Sequence, residues 1–217
     1  MIRVVIAEDH HLVRQGIRVL LEKSGDIQVV GEAADGHAAL ELVQTHQPDI
    51  LILDVALPQL NGMEVARRIA DQKPGTQVLI LSMYSDQTLV QQALRYGVRG
   101  YLLKQSVVEE LLQAVRTIHQ GGSFLSSMLP ASILSAGLRP ESNEPSLSAI
   151  DQLTSRERQV LLLVAEGDTS KAIGLKLGLS EKTIEKHRSH LMKKLNVRDT
   201  AGLVRTAIKH GVTFLDP

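Results

Sequence analysis

The sequence contains no cysteine and no tryptophan, and only 2% of its 217 residues are aromatic. Without cysteine, disulfide bonds and thiolate-ligated zinc are excluded, which agrees with a reducing compartment. So few aromatic side chains argue against the base-stacking surfaces that bind single-stranded nucleic acid. The longest uncharged segment, residues 121–138, contains Pro130 and five serines and is not predicted to span a membrane. We therefore expect a cytoplasmic protein without a signal peptide or a membrane contact.

The net charge is zero, but the charges are unevenly distributed along the chain. From residue 151 onward there are twelve lysines and arginines against eight acidic residues, whereas the first 150 residues contain twelve against sixteen. An acidic first part and a basic second part indicate two modules, of which the second faces nucleic acid. The length allows each module a hydrophobic core of its own.

Short apolar runs and helical patterns alternate through the first 120 residues. The runs are rich in valine, isoleucine and leucine, as expected of strands that are buried on both faces. Between them apolar residues recur at helical spacing; Leu12 and Val13 open the first of these patterns and Val108 opens the last. Five such pairs predict right-handed crossovers and an α/β doubly wound, five-stranded parallel sheet. The predicted strands are residues 2–7, 27–32, 49–54, 77–82 and 98–103.

Reactive side chains follow four of these strands. Glu8 and Asp9 follow the first, Asp54 ends the third, Ser82 ends the fourth and Lys104 follows the fifth. The carboxyl ends of parallel strands meet at one edge of a sheet, so these groups are expected to converge. Three acids side by side resist ionising unless a cation lies among them, and oxygen ligands with room for water suit Mg²⁺. The set therefore predicts a site for Mg²⁺ and a phosphoryl group, with a carboxylate such as Asp54 as nucleophile.

Each residue of this set also has an ordinary structural explanation. Asp9 is placed to cap the helix that begins near Leu12, and Lys104 alone would be a surface lysine. The functional interpretation rests on the whole set, because every member lies at the same end of its strand.

The segments around these residues resemble the receiver domain of two-component response regulators, which has a flavodoxin-like fold. The matching segments are residues 7–9, 53–58, 61–62, 81–82 and 100–104. Leu57 departs from a frequent methionine and Gln105 from a frequent proline. The residues that the resemblance assigns are Asp54 as the phosphoacceptor, Glu8, Asp9, Asp54 and the carbonyl of Ala56 as ligands of Mg²⁺, Ser82 and Tyr101 as the switch pair, and Lys104 as the cation facing the phosphoryl group.

One neighbour of this site is unusual for a receiver. Met83 stands where a small residue is common, and we hypothesise that it narrows access to Asp54. Simple packing within the loop is the alternative explanation for this side chain.

The second module is predicted to be entirely helical. Thr154 and Glu157 form a capping box, and Thr169, Ser180 and Asp199 are placed to cap three further helices. A short helix, a turn with glycine and a longer serine-capped helix are typical of a helix-turn-helix. The predicted domains are a receiver at 1–122, a short helix (126–136) and linker within 123–149, and a DNA-binding domain at 150–217.

Residues 153–161, 180–187 and 194–197 resemble the four-helix DNA-binding domain of the LuxR, FixJ and NarL type. The helix-turn-helix departs from that pattern at Ser170, Ala172 and Gly174, and a glycine within a helix costs up to about 1 kcal/mol relative to alanine. The last helix has an apolar face that the family uses for dimerisation, although core packing explains the same face. The DNA-facing residues implied are Glu185, Lys186 and Ser189 at the bases, Thr183, His187 and Lys194 at the phosphates, and Lys182 on the same exposed face.

Together the two resemblances imply a transcriptional regulator rather than an enzyme. A histidine kinase would phosphorylate Asp54 with Mg²⁺, and the modified protein would dimerise and bind double-stranded DNA. One alternative is a metal-dependent phosphatase, but such hydrolases of the haloacid-dehalogenase type have an acid-base aspartate where this chain has Ala56. A second alternative is a DNA-binding protein whose receiver is never phosphorylated.

Overall fold

The structure is a computed structural model that describes residues 1–72, 75–133, 150 and 152–213. The chain forms two compact units, Met1–Glu141 and Ser142–Pro217. Most of the predicted linker and the end of the predicted helix at 126–136 lie outside the described residues. The prediction is wrong for residues 126–130, which form a turn, whereas residues 131–133 are helical. The domain boundaries therefore stay a prediction. No helix among the described residues is both long and apolar enough to cross a membrane.

The first unit is built on a parallel sheet with strand order β2-β1-β3-β4-β5-β6. Each connection between parallel neighbours crosses over through a helix, so the doubly wound arrangement predicted from the sequence is confirmed. The sheet has one strand more than the five predicted, because a two-residue strand pairs with β5 at the edge. The strands are β1 (Ile2–Ala7), β2 (Ile27–Ala33), β3 (Ile50–Asp54), β4 (Gln77–Ser82), β5 (Gly100–Leu103) and β6 (Phe124–Leu125).

In the part of the first unit that the structure describes, five helices cover the sheet. The first and last pack on the face formed by alternate residues of the central strands, where Ile17, Leu21 and Leu111 join Ile6 and Ile52 in one buried cluster. The other three connect consecutive strands, and alternate strand residues such as Val5 and Leu51 face the opposite side of the sheet. The helices are α1 (His11–Glu22), α2 (Gly36–His46), α3 (Gly62–Gln72), α4 (Gln87–Arg95) and α5 (Val107–His119).

Some apolar residues of the predicted helical patterns lie outside the core. Leu12 is 83% exposed, Val13 40% and Val108 74%, although Ile17 and Leu21 in the same pattern as Leu12 are buried. The helical spacing identifies the helices correctly, but it does not place every apolar residue of their first turns against the core. Val107, which opens α5, packs against the buried cluster, whereas its neighbour Val108 is exposed.

A carboxylate on α5 holds the chain that follows β6. Glu110 Oε2 accepts hydrogen bonds from the Ser106 hydroxyl at 2.8 Å and the Ser126 hydroxyl at 2.6 Å. Glu110 Oε1 accepts from the amide of Ser127 at 3.0 Å and also from its hydroxyl. The amide of Ser126 in turn donates to the carbonyl of Tyr101 at 2.9 Å. Glu110 thereby holds the segment after β6 against the start of α5, while the Ser126 amide joins the same segment to β5.

We expect Glu110→Ala to destabilise the first unit by about 1–3 kcal/mol, because Ser106 and Ser126 are buried and lose an acceptor. Glu109→Ala, at the exposed neighbouring position, should stay within about 0.5 kcal/mol. Burial raises the pKa of Glu110, but the hydrogen bonds from Ser126, Ser127 and Ser106 outweigh it and leave the pKa below its usual value. The Glu110 contribution is therefore present at neutral pH and is lost as the pH falls through that lowered pKa.

Urea unfolding followed by tyrosine fluorescence measures this effect in the intact protein. All three tyrosines of the chain, Tyr84, Tyr96 and Tyr101, lie in the first unit and there is no tryptophan, so the signal reports that unit alone. Equal stability of Glu110→Ala and Glu109→Ala at neutral pH would contradict the structural role of Glu110.

The described residues of the second unit form four helices around a buried cluster that includes Val160, Ile173, Ile184, Leu191 and Leu203. The helix caps predicted from the sequence are confirmed. Their contacts are the reciprocal capping box of Thr154 and Glu157, and the side chains of Thr169, Ser180 and Asp199 accepting from the amides of Ala172, Thr183 and Gly202. The helices are α6 (Ser155–Ala165), α7 (Ser170–Leu177), α8 (Glu181–Lys194) and α9 (Thr200–Lys209).

The structure gives a reason for the glycine within α7. Gly174 is buried, and a Cβ atom there would lie 2.7 Å from the carbonyl oxygen of Leu179 in the turn. The amide of Leu179 also donates to the Gly174 carbonyl at 2.9 Å. The turn is braced as well by Arg156 of α6, which donates to the carbonyl of Leu177 at 2.7 Å. The glycine thus permits a close helix-turn contact that offsets its low helical propensity.

Candidate functional site

Asp54 ends β3 at the carboxyl edge of the sheet and is only 2% exposed. Its Oδ1 accepts a hydrogen bond from the amide of Ala56 at 3.2 Å, which orients the carboxylate. The first residue of α3, Gly62, lies directly against its backbone, since a Cβ on Gly62 would come within 2.1 Å of the Asp54 carbonyl oxygen. The glycine therefore lets α3 begin in contact with the end of β3.

Lys104 bridges two of the predicted acidic residues. Its Nζ lies 2.8 Å from Asp54 Oδ2 and 2.8 Å from Glu8 Oε2. Glu8 is fully buried at the end of β1, and Lys104 directly follows β5. The parallel sheet thus brings together three residues that are far apart in the sequence, as the strand ends predicted.

The ionisation of this cluster reflects both burial and charge. Burial and then the charge of Asp54 raise the pKa of Glu8 above its usual value, in spite of the ion pair with Lys104. Burial lowers the pKa of Lys104, but attraction to Asp54 and Glu8 outweighs it and leaves the pKa raised. The ammonium is therefore charged at neutral pH, whereas two buried carboxylates share its single positive charge.

Asp9 lies beside this cluster, and so does a residue that the sequence did not indicate. His10 Nδ1 is 2.8 Å from Asp9 Oδ1 and 3.2 Å from Glu8 Oε1. Potential ligand atoms of Glu8, Asp9, His10 and Asp54 all lie within 4.8 Å of one another. The signal in the sequence that could have indicated His10 as part of this cluster is its position directly after Asp9. The N-terminal cap of α1 is His10, without a side-chain cap bond, so the interpretation of Asp9 as that cap is wrong.

The donor set of this cluster fits a hard divalent cation. The nearest nitrogen to Glu8 Oε2 is Lys104 Nζ and the nearest to Asp9 Oδ1 is His10 Nδ1, each at 2.8 Å, and Lys104 also serves Asp54. Several carboxylate oxygens within a few ångströms are the ligands that Mg²⁺ takes from proteins, with water completing its shell. A cation here would relieve the repulsion between the buried acids.

The predicted switch residues meet at the loop after β4. Ser82 is 1% exposed, and its Oγ accepts from the amide of Tyr84 at 3.0 Å. Tyr101 is fully buried in β5, and its hydroxyl donates to the carbonyl of Tyr84 at 2.8 Å. Burial raises the pKa of the Tyr101 phenol above its usual value, so the hydroxyl remains a donor at neutral pH. Tyr84 was not predicted, because its contribution is made by backbone atoms that no sequence pattern marks.

Met83 lies between Ser82 and Tyr84 in the chain, and its side chain is 59% exposed. It is therefore not part of the core packing of the first unit, and its hypothesised effect on access to Asp54 stays a prediction. Ala56 is exposed, whereas Leu57 is buried.

The predicted DNA-facing residues lie along α8, and Lys182, Lys186 and Ser189 are opposite its buried residues Ile184 and Leu191. Thr183 and His187 are half-buried at the border of this surface. The exposed positions among those predicted are Lys182, Glu185, Lys186, Ser189 and Lys194, and the Lys194 side chain is 36% exposed.

Two residues of this surface, Lys194 and Thr183, make side-chain contacts within the second unit. Lys194 Nζ lies 2.8 Å from Oε2 of Glu157, the glutamate of the capping box. The hydroxyls of Thr183 and Ser180 are 2.8 Å apart at the start of α8. A phosphate bound by Lys194 would therefore compete with Glu157.

The geometry defines a class of protein, an α/β domain with a buried acid–lysine cluster joined to a helix-turn-helix domain. Comparison with known families agrees with both parts. The family described as "Response regulator receiver domain" matches residues 4–116, and the family of "Bacterial regulatory proteins, luxR family" matches residues 151–207. The chain belongs to the response regulators with a LuxR-type DNA-binding domain, which are transcriptional regulators of two-component systems.

Individual relatives match over nearly the whole chain. The oxygen regulatory protein NreC of Staphylococcus epidermidis is 37% identical over 211 residues, which are 95% of this chain and 97% of the relative. The transcriptional regulatory protein DegU of Brevibacillus brevis is 33% identical, over 97% of this chain and 94% of the relative. The solved structure of an RcsB–DNA complex is 29% identical with a TM-score of 0.57, over 96% of this chain and 98% of that one.

Proposed function

We propose that Asp54 receives a phosphoryl group from the phosphohistidine of a sensor histidine kinase, and that this modification controls dimerisation and DNA binding. The observation that carries the proposal is the position of Lys104, whose ammonium lies 2.8 Å from the carboxylates of both Asp54 and Glu8. A lysine held in this way fixes one oxygen of Asp54 and is placed to neutralise a phosphoryl oxygen.

The transfer is a displacement at phosphorus. An oxygen of Asp54 forms the new O–P bond, the P–N bond to the histidine of the kinase breaks, and the imidazole leaves with the electron pair. Lys104 and the Ser82 hydroxyl then each face a phosphoryl oxygen. Ala56, two residues after Asp54, offers no acid-base group for rapid hydrolysis. The protein therefore accepts a phosphoryl group without being an enzyme in the usual sense.

A magnesium ion fits the acidic side of this site. Glu8, Asp9, Asp54 and the carbonyl of Ala56 are the proposed ligands. When bound, the ion supplies positive charge that neutralises the incoming phosphoryl group.

The coupling to the rest of the protein begins at Tyr84. A phosphoryl group adds about −1.5 to −2 charges at Asp54, which attracts the Ser82 hydroxyl away from the amide of Tyr84. Tyr101 already fills the interior beside β4 and holds the carbonyl of the same residue. Phosphorylation therefore breaks the hydrogen bond between Ser82 and Tyr84, while that between Tyr101 and Tyr84 remains. The loop after β4 then moves, and the surface around α4 and β5 repacks.

The relation to RcsB supports double-stranded DNA as the partner of the second unit. One helix-turn-helix makes few contacts, so two linked copies raise the affinity strongly, and we propose a phosphorylation-dependent homodimer. In this arrangement Lys186 faces guanine and Glu185 accepts from a cytosine amino group in the major groove. We place the protein in the cytoplasm, where it meets both the kinase and the chromosome.

The phosphoacceptor is tested by intact mass after incubation with acetyl phosphate and Mg²⁺. The wild-type protein and the surface variant Asp71→Asn should gain the mass of one phosphoryl group, and Asp54→Asn should gain none. No gain in the wild type, or a gain in Asp54→Asn, would overturn the proposal. Continuous phosphate release with no accumulated mass would support the phosphatase alternative instead.

The DNA surface is tested with a duplex selected by the wild-type protein from a random library. Lys186→Ala should weaken binding to this duplex by about 1–3 kcal/mol. Lys209→Ala, which changes an exposed lysine at the end of α9, should bind as the wild type does.

Control of DNA binding by phosphorylation is tested with the same duplex. The phosphorylated protein should bind it more tightly than the unmodified protein, and equal affinity in both states would exclude this control.

A further inference from the structure

The two oxygens of Glu8 face different neighbours. Oε2 faces Lys104 on the side of Asp54, whereas Oε1 faces His10 and accepts from its amide at 3.2 Å. The imidazole Nδ1 of His10 is also 3.2 Å from Oε1 and lies 2.8 Å from Asp9 Oδ1. The side of the cluster away from Lys104 is therefore formed by two carboxylate oxygens and one imidazole nitrogen.

We propose that His10 is a ligand of the divalent cation at this site, and that the site prefers a first-row transition ion such as Mn²⁺ to Mg²⁺. The inference rests on the proposed cation site and adds a nitrogen to its oxygen ligands. Imidazole is a favourable ligand for ions such as Fe²⁺, Ni²⁺ and Zn²⁺, whereas Mg²⁺ selects oxygen. Mn²⁺ also takes carboxylate and water ligands, so it fits the oxygen side of this site and serves as the spectroscopic probe.

The distances agree with coordination at a common ion. With metal–ligand distances of about 2.0–2.1 Å, neighbouring ligands of an octahedral ion are roughly 3 Å apart and opposite ligands roughly 4.2 Å. His10 Nδ1 lies 2.8 and 3.2 Å from its two carboxylate neighbours, close to the octahedral edge. The four candidate ligand atoms span no more than 4.8 Å, so small shifts bring them onto one ion.

The exposure of His10 suits this role. Its side chain is 71% exposed, so the ring can move toward an ion without rearranging the core. The neighbouring His11 is also exposed but is the first residue of α1 and does not belong to the cluster. Two adjacent histidines thus differ in their relation to the site, which supplies a matched control.

The test uses the full-length protein and Mn²⁺ as the probe. Pulsed electron paramagnetic resonance of bound Mn²⁺ should show the nitrogen modulation of a coordinated imidazole in the wild type and in His11→Ala, but not in His10→Ala. Selective ¹⁵N labelling of histidine in the wild type identifies the nitrogen without any substitution. His10→Asn, which keeps a polar side chain, is the second variant in case His10→Ala does not fold.

Affinity is measured in parallel from the signal of free Mn²⁺, with Mg²⁺ as competitor. Removing even an outer partner of a metal ligand costs roughly tenfold in affinity, so His10→Ala should lose at least about tenfold for Mn²⁺ and much less for Mg²⁺. Absence of nitrogen modulation in the wild type, its persistence in both His10 variants, or failure to bind Mn²⁺ would overturn the inference. Phosphorylation of Asp54 with Mg²⁺ is read separately by mass, so the proposed function can survive that failure.

Discussion

Gly62→Ala is expected to destabilise the first unit by about 3 kcal/mol or more. A Cβ at this position would lie 2.1 Å from the carbonyl oxygen of Asp54 and 3.0 Å from the Cα of Val55. Both neighbours are backbone atoms of the β3 end, so no side-chain rotation relieves the overlap, and overpacking of this kind costs about 1–3 kcal/mol or more. The overlap would displace the backbone of Asp54, which is the proposed phosphoacceptor.

The matched control is Gly16→Ala in the middle of α1. A Cβ there meets nothing within 4 Å, and the position is exposed. Alanine at a helical position without contacts should stabilise by about 0.5–1 kcal/mol, because glycine is the poorer helix former. Two substitutions with the same chemistry should therefore shift the tyrosine-monitored unfolding midpoint in opposite directions. A Gly62→Ala midpoint at or above that of the wild type would contradict the close approach of α3 to Asp54.

The meeting of Glu8, Asp54 and Lys104 was predictable from the sequence, because it depends on a general property of parallel sheets. Apolar runs locate the strands, and the residue after each run must lie at the carboxyl edge. The helix caps of the second unit were predictable for a similar reason. Thr154 and Glu157 satisfy backbone amides within one turn, so the local sequence is sufficient.

The features that were missed depend on tertiary packing. Tyr84 binds both switch residues through its backbone, and any residue at that position has the same two groups. The strand Phe124–Leu125 is only two residues long and exists because β5 offers it an open edge. Val108 belongs to the apolar pattern of α5 but is 74% exposed, since an apolar pattern alone does not show which of its residues reach the core. Orientation of His10 toward Glu8 and Asp9 is set by the turn between β1 and α1.

The second large effect is expected from Lys104→Met. Without the ammonium, the buried carboxylates of Glu8 and Asp54 are left without their common cation. Removing one partner of a buried ion pair costs about 3–5 kcal/mol. Lys23→Met, at the exposed end of α1, should change stability by no more than about 0.5 kcal/mol. Urea unfolding monitored by tyrosine fluorescence in the presence of a chelator compares the two variants at pH 7.

The loss of unfolding free energy caused by Lys104→Met should become smaller as the pH falls from 7 to about 5. Burial and Asp54 already raise the pKa of Glu8, and loss of Lys104 removes the main opposing influence. The folded state then binds a proton more readily than the unfolded state, so stability rises as the pH falls. Mg²⁺ should also restore stability at pH 7, by about 2.7 kcal/mol at one hundred times its dissociation constant. If neither lower pH nor Mg²⁺ reduces this loss of stability, Lys104 stabilises the first unit through packing of its aliphatic chain. Neutralisation of the Glu8 and Asp54 charges would then not be the source of its contribution.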